Sequence, residues 1–166
     1  MEYRKNDIVT LEIVDCGTDG EGIGKADGFT VFVKDAVIGD IVTAKIMKAK
    51  KNYGYGRLME ILKPSPYRVE SVCPSARQCG GCQLQAVSYE EQKVFKEKKL
   101  RGHLERIGGF RDLPMEPMIG MDEPYHYRNK AQFPVGRNKE GRIITGFYAG
   151  RTHAIIENRD CALGIP

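Results

Sequence analysis

The sequence predicts a β-rich, α+β protein: a small closed β-barrel over residues 1–62, followed by a separate α+β segment over 67–166. Three observations carry this. Five short strands joined by glycine turns recur at about ten-residue spacing, the pattern of a small barrel. Lys63-Pro64-Ser65-Pro66 then interrupts the pattern, and prolines there cannot continue a sheet ladder, so 63–66 reads as a linker. Beyond it, a capped helix is followed by a return to period-two alternation.

In chain order, residues 7–16 form the first strand, with a slightly thick apolar face of Ile8, Val9, Leu11, Ile13 and Val14. Gly17, Gly20, Gly22, Gly24 and Gly28 punctuate the stretch that follows. Residues 29–33, 41–47 and 56–62 read as further strands, with a turn over 36–40. In the second segment, Ser88 stands three residues before Glu91, the spacing of a capping box in which each side chain bonds the other residue's amide. A helix is expected over 89–107, with Val94, Leu100, Leu104 and Ile107 near one face. Lys93, Lys96, Lys98, Lys99, Arg101 and Arg106 occupy the other, and Gly108-Gly109 ends it. From Tyr127 the period shifts toward two, with 138–141 as the turn before a strand over 142–148.

Composition narrows the class. Hydrophobic residues make up 41% and charged residues 29%, ordinary for a soluble globular protein. No run approaches the roughly 20 apolar residues that cross a bilayer, and the polar N-terminus lacks an apolar signal core. The expectation is a cytoplasmic monomer with no membrane partner. The net charge of +4 is weak by itself as a sign of a nucleic-acid partner. Its distribution says more, because Lys45, Lys48, Lys50, Lys51 and Arg57 face only Asp40 between positions 40 and 57. Five cysteines is an odd number, which argues against a closed disulfide framework.

The strongest chemical signal is Cys73-x5-Cys79-Gly-Gly-Cys82. Thiolates wrapped around one metal centre need a backbone that turns sharply and offers amides toward sulfur, and glycine permits both. Cys161 is the best candidate for a fourth ligand. Cys16, at the end of a barrel strand, reads as a structural core thiol. Spacing alone leaves a four-cysteine zinc site and an iron–sulfur cluster both open, since each accepts four thiolates.

The run from Gly20 to Val33, with Val37 to Val42, resembles a TRAM domain, an OB-like barrel attached to RNA-modifying enzymes. The order Cys73, Cys79-Gly-Gly-Cys82-Gln-Leu-Gln85, Tyr127-Arg-Asn-Lys-Ala-Gln132, Gly146-Phe-Tyr148, Thr152-His153 and Cys161 is similar to the central domain of bacterial uracil-5 RNA methyltransferases. The types it resembles most act on 23S ribosomal RNA. The resemblance implies that Cys73, Cys79, Cys82 and Cys161 hold a 4Fe-4S cluster with a structural or RNA-positioning role. The C-x3-C-x2-C spacing of radical enzymes is absent. Members of this family continue into a Rossmann-like domain that holds S-adenosylmethionine, a nucleophilic cysteine and a general base. No glycine-rich strand–turn–helix for such a cofactor is present here, since Gly20-x-Gly22-x-Gly24 belongs to the barrel. The chain alone is therefore expected to lack the catalytic domain and to be inactive.

Two surfaces are expected to meet RNA. Lys48, Lys50, Lys51, Tyr53, Tyr55 and Arg57 mix cations with rings at the barrel rim, as single-strand-binding barrels do. On the second surface, strand alternation puts Arg128, Lys130 and Gln132 on one face, joined by Arg137, Arg151 and His153. By the resemblance this region lies near the cluster and the RNA. Alternatives are a stand-alone RNA-binding protein, a redox-sensing iron–sulfur protein, a zinc-ribbon-like module, and tRNA as the target.

Overall fold

A computed structural model describes residues 3–165, which fall into two compact units. The first runs to Ser71 and takes up Gln83–Val87 again; the second comprises Val72–Cys82 and the chain from Ser88 onward.

In the first unit, β1 (Ile8–Cys16), β2 (Gly22–Ala26), β3 (Phe29–Lys34), β4 (Ile41–Ala49) and β5 (Tyr53–Lys63) close into a barrel in the order β1-β2-β3-β5-β4. Alternation along the strands turns Val9, Leu11 and Ile13 inward to meet Val31, Val33, Val42, Ala44 and Ile46. Each fully buried large aliphatic side chain contributes about 1.5–3 kcal/mol relative to exposure. Strands β3 and β5 run parallel, while the other neighbours are antiparallel. The glycine-punctuated stretch holds β2. Its Gly22 faces inward, where a Cβ would stand 2.8 Å from the Ala36 carbonyl oxygen. The β2–β3 hairpin closes on Asp27-Gly28, both at positive φ (47° and 82°), the mirror-image turn that matches strand twist.

The segment expected as a linker, 63–66, is part of this unit. Lys63 ends β5, and Ser65 is buried, its amide donating to Asp40 Oδ1 at 2.8 Å. Asp40 is fully buried. Its carboxylate also accepts from the Val37 amide (2.7 Å) and from Arg68 Nη2 (2.5 Å). Burial alone would push this carboxyl up. The Arg68 guanidinium and the Ser65 and Val37 amides outweigh burial and hold it below its usual 3.8. Next along the chain, the Val69 amide donates to Ala86 at 3.0 Å and Arg68 bridges Val87, so the two stretches flanking the cysteine loop pair with each other.

The second unit contains α1 (Tyr89–Arg106) and an antiparallel sheet of β6 (Val135–Arg137), β7 (Ile143–Tyr148) and β8 (Ile155–Glu157) in that order. Ser88 Oγ accepts from the Glu91 amide at 3.4 Å, as expected of an N-cap. At the other end, the Phe110 amide bonds Leu104 O at 3.1 Å, with Gly109 at φ 70°. The expected apolar helix face is not buried: Leu100 is 50% and Ile107 81% exposed. At about 100° per residue, Val94 lies roughly a third of a turn away from the other three, so no single stripe exists. The turn over 138–141 forms as read, with Asn138 Oδ1 accepting from the Glu140 and Arg142 amides at 3.0 Å.

The strand expected from Tyr127 does not form. Arg128 makes a single parallel bridge to Gly164, and β6 begins only at Val135. Pro134 has no amide to donate, and no strand among the described residues pairs with 129–134. No described helix is long and apolar enough to cross a membrane.

Candidate nucleic-acid interface

Residues paired across neighbouring strands share a face of the sheet, so register assembles the outer wall of the barrel in rows. One row runs Lys25–Thr30–Tyr53, and the next Ile23–Phe32–Tyr55–Lys48. A third runs Lys34–Arg57–Lys45. At the centre, Phe32 and Tyr55 have ring centroids 5.6 Å apart with planes inclined at 32°. Tyr53 stands nearly perpendicular to both, 5.9 Å from each. Such edge-to-face pairs are a favoured ring geometry.

The structure thus gathers Lys48, Tyr53, Tyr55 and Arg57 on one wall. Lys50 and Lys51 lie in the exposed turn between β4 and β5, where the Lys50 amide donates to Tyr53 O at 2.8 Å. Phe32, Lys25 and Lys34 join them and were missed by sequence reasoning. Their signal was present: Val31 and Val33 point inward, so the residues between and after them point out. The parallel pairing of β3 with β5, which brings Phe32 to Tyr55, has no local signature.

The second expected surface is only partly assembled. Arg128 is half-buried and held through its backbone, its amide donating to Leu163 O at 2.8 Å. Lys130 and Gln132 are exposed on irregular chain and do not share a strand face. Arg137 is turned to its own hairpin, donating to Gly141 O at 2.7 Å, and Arg151 is exposed at φ 60°. His153 stands edge-on to Tyr148, with centroids 5.4 Å apart.

In the cysteine loop, Cys73 and Cys79 are buried, while Cys82 and Cys161 are half-buried. The Gly81 amide points at Cys79 Sγ, 3.3 Å away, the backbone-to-sulfur contact a thiolate centre uses. The Gly80 amide donates to Tyr148 O at 2.9 Å, and a Cβ on Gly80 would stand 2.8 Å from that same oxygen. Among the described residues, however, no three His, Cys, Asp or Glu side chains converge as a metal-holding group. Cys16, expected as a core thiol, is half-buried: the register shift between Ile13 and Asp15 sets it opposite the inward Gly22, with Sγ 3.6 Å from Gly17 O.

Residues 4–59 match the family model of the TRAM domain. The matched stretch is the barrel, whose closed five-strand form is consistent with a TRAM domain. The similarity to known proteins extends past it. The chain is 47% identical over 160 residues, 96% of its length, to an uncharacterized RNA methyltransferase of Halalkalibacterium halodurans. It is 48% identical over 161 residues, 97% of its length, to an uncharacterized RNA methyltransferase of Clostridium tetani. Each match covers 35% of the relative, so the chain spans about a third of the length of the curated relatives it matches. The TRAM barrel and the rest of the chain also resemble in fold the crystal structure of Pyrococcus abyssi tRNA (uracil-54, C5)-methyltransferase in complex with S-adenosyl-L-homocysteine. That likeness has a TM-score of 0.59 at 22% identity, over 94% of this chain and 33% of the other.

Proposed function

We propose that this chain is the RNA-gripping and iron–sulfur-carrying portion of an S-adenosylmethionine-dependent RNA (uracil-5-)-methyltransferase acting on 23S ribosomal RNA. The observation that carries the reading is the wall of the TRAM barrel, where three packed rings are flanked by lysines and an arginine. Relatives named as RNA methyltransferases support the reaction class. The name of the fold neighbour supports uracil C5 as the target and S-adenosylmethionine as the donor, since S-adenosyl-L-homocysteine is what remains after the methyl group leaves. It also favours a second reading, in which the substrate is a tRNA. Methyl transfer itself belongs to parts of the parent protein outside these residues, and the role of this chain is to hold the RNA.

Replacing Lys50, Lys51 and Arg57 together with alanine is expected to weaken binding of a short RNA strand. The slope of log affinity against log salt should flatten by about 2, at roughly 0.7 for each phosphate that is no longer neutralised. A titration series that leaves affinity and slope unchanged would remove this wall from the reading.

In the same reading, Cys73, Cys79, Cys82 and Cys161 hold a 4Fe-4S cluster that fixes the loop and takes no part in methyl transfer. The burial of Cys73 and Cys79 and the amide aimed at Cys79 Sγ support it. Purified without oxygen, the chain is expected to be brown and to carry about four irons and four sulfides. Stoichiometric zinc without iron would instead make this a structural zinc site and count against the ribosomal subfamily.

A further inference from the structure

Of the three central rings on the barrel wall, Phe32 lies outside the strip that sequence singles out, yet it touches both of the others. Phe32 and Tyr55 are half-buried and inclined at only 32°, while Tyr53, 38% exposed, rises at 87° and 84° to them. The result is an apolar floor with one upright ring beside it. Cations border it on two sides, with Lys25 in the row before and Lys34, Arg57 and Lys45 in the row after. From β2 to β5 the outward residues of these three rows include no carboxylate and no carboxamide, the groups that bond adenine and cytosine edges by complementary donors and acceptors; Asp15 on β1, in register with Ile23, stands at the far end of the Phe32 row, beyond the rings. Rings stack on the faces of any base, and cations hold any phosphate, so a wall built this way grips RNA without reading its letters. Bases within an A-form duplex keep their faces stacked on one another, and the deep major groove admits no side chain.

We propose that Phe32, with Tyr53 and Tyr55, forms a stacking platform for unpaired bases, taken without sequence preference. This rests on the RNA-binding reading above and adds to it the lack of sequence preference and the residue at the centre of the grip.

The test uses the whole 166-residue chain with three fluorescent probes: an eight-nucleotide uridine strand, an eight-nucleotide adenosine strand and a blunt RNA duplex. Both single strands are expected to bind within about threefold of each other, and the duplex about tenfold more weakly. Phe32→Leu should weaken both single strands about tenfold while leaving duplex binding unchanged, and Phe32→Tyr should restore them. Tyr53→Leu, at an exposed ring, should reproduce the loss with no change in melting, which separates stacking from any folding defect at Phe32. Equal affinity for duplex and single strands would overturn the platform, and so would a tenfold preference between the two single strands. If Phe32→Leu and Tyr53→Leu bind as well as the parent while the Lys50, Lys51 and Arg57 triple variant binds poorly, the platform is wrong and the RNA-binding reading stands. If the triple variant also binds normally, the underlying reading fails with it.

Discussion

Asp40→Ala is expected to destabilise the barrel unit by about 3–4 kcal/mol and to lower its melting temperature by roughly 15 °C. The carboxylate is fully buried and gathers three separate parts of the chain: the Val37 amide, the Ser65 amide and the Arg68 guanidinium. Removing one partner of a buried ion pair costs more than the pair contributes, because the remaining groups lose their acceptor without regaining full hydration. Arg68, still 19% exposed, recovers some water, which places the loss at the lower end of the range. Acid should show the same dependence. The folded carboxyl titrates below its usual 3.8, so its contribution is complete above about pH 4 and disappears as pH falls through the folded value. The alanine variant should lack this acid limb. Melting within a few degrees of the parent at neutral pH would mean that Asp40 does not anchor the segment after β5.

Gly146→Ala is expected to cost the second unit about 3 kcal/mol and to separate β7 from β8. Gly146 is buried opposite Glu157, and a Cβ there would overlap the Ile156 carbonyl oxygen, with Asn158 N only 2.9 Å away. Backbone atoms cannot rotate aside as a side chain can, so the strands must move apart. Amide hydrogen exchange should show reduced protection at the β7–β8 pairs, while the barrel strands keep theirs. Full protection across Gly146–Tyr148 in the variant would show that the hairpin relaxes at little cost.

What could be read from the sequence was local. Alternation identified β1 and its core residues Val9, Leu11 and Ile13, although Ile8 and Val14, counted on the same apolar face, are exposed; Ser88 and Gly108-Gly109 bounded the helix, and Asn138 to Gly141 marked the hairpin. The strip from Lys48 to Arg57 was legible because its members are contiguous. Strand β2 was harder to delimit, since inward glycines carry no hydrophobic signal. Ser65 looked like linker because the acid that buries it lies 25 residues away. Phe32 passed as an ordinary strand residue until parallel pairing set Tyr55 beside it. Arg128 to Gln132 misled in the opposite direction: their alternation is real, but a strand needs a partner along its length, and here only Arg128 has one.

The pairing of Arg68 and Val69 with Val87 and Ala86 bears on the chain between them. Both feet of the segment carrying Cys73, Cys79 and Cys82 stand together on the barrel unit. The entropy of closing a loop of this length, about 2 kcal/mol, is therefore already met by the barrel. The segment that carries the three thiols is thereby tied at both ends, which limits how far any of them can stray from the others. In the proposed iron–sulfur reading, capture of iron by one of these sulfurs would make engagement of the next an intramolecular step.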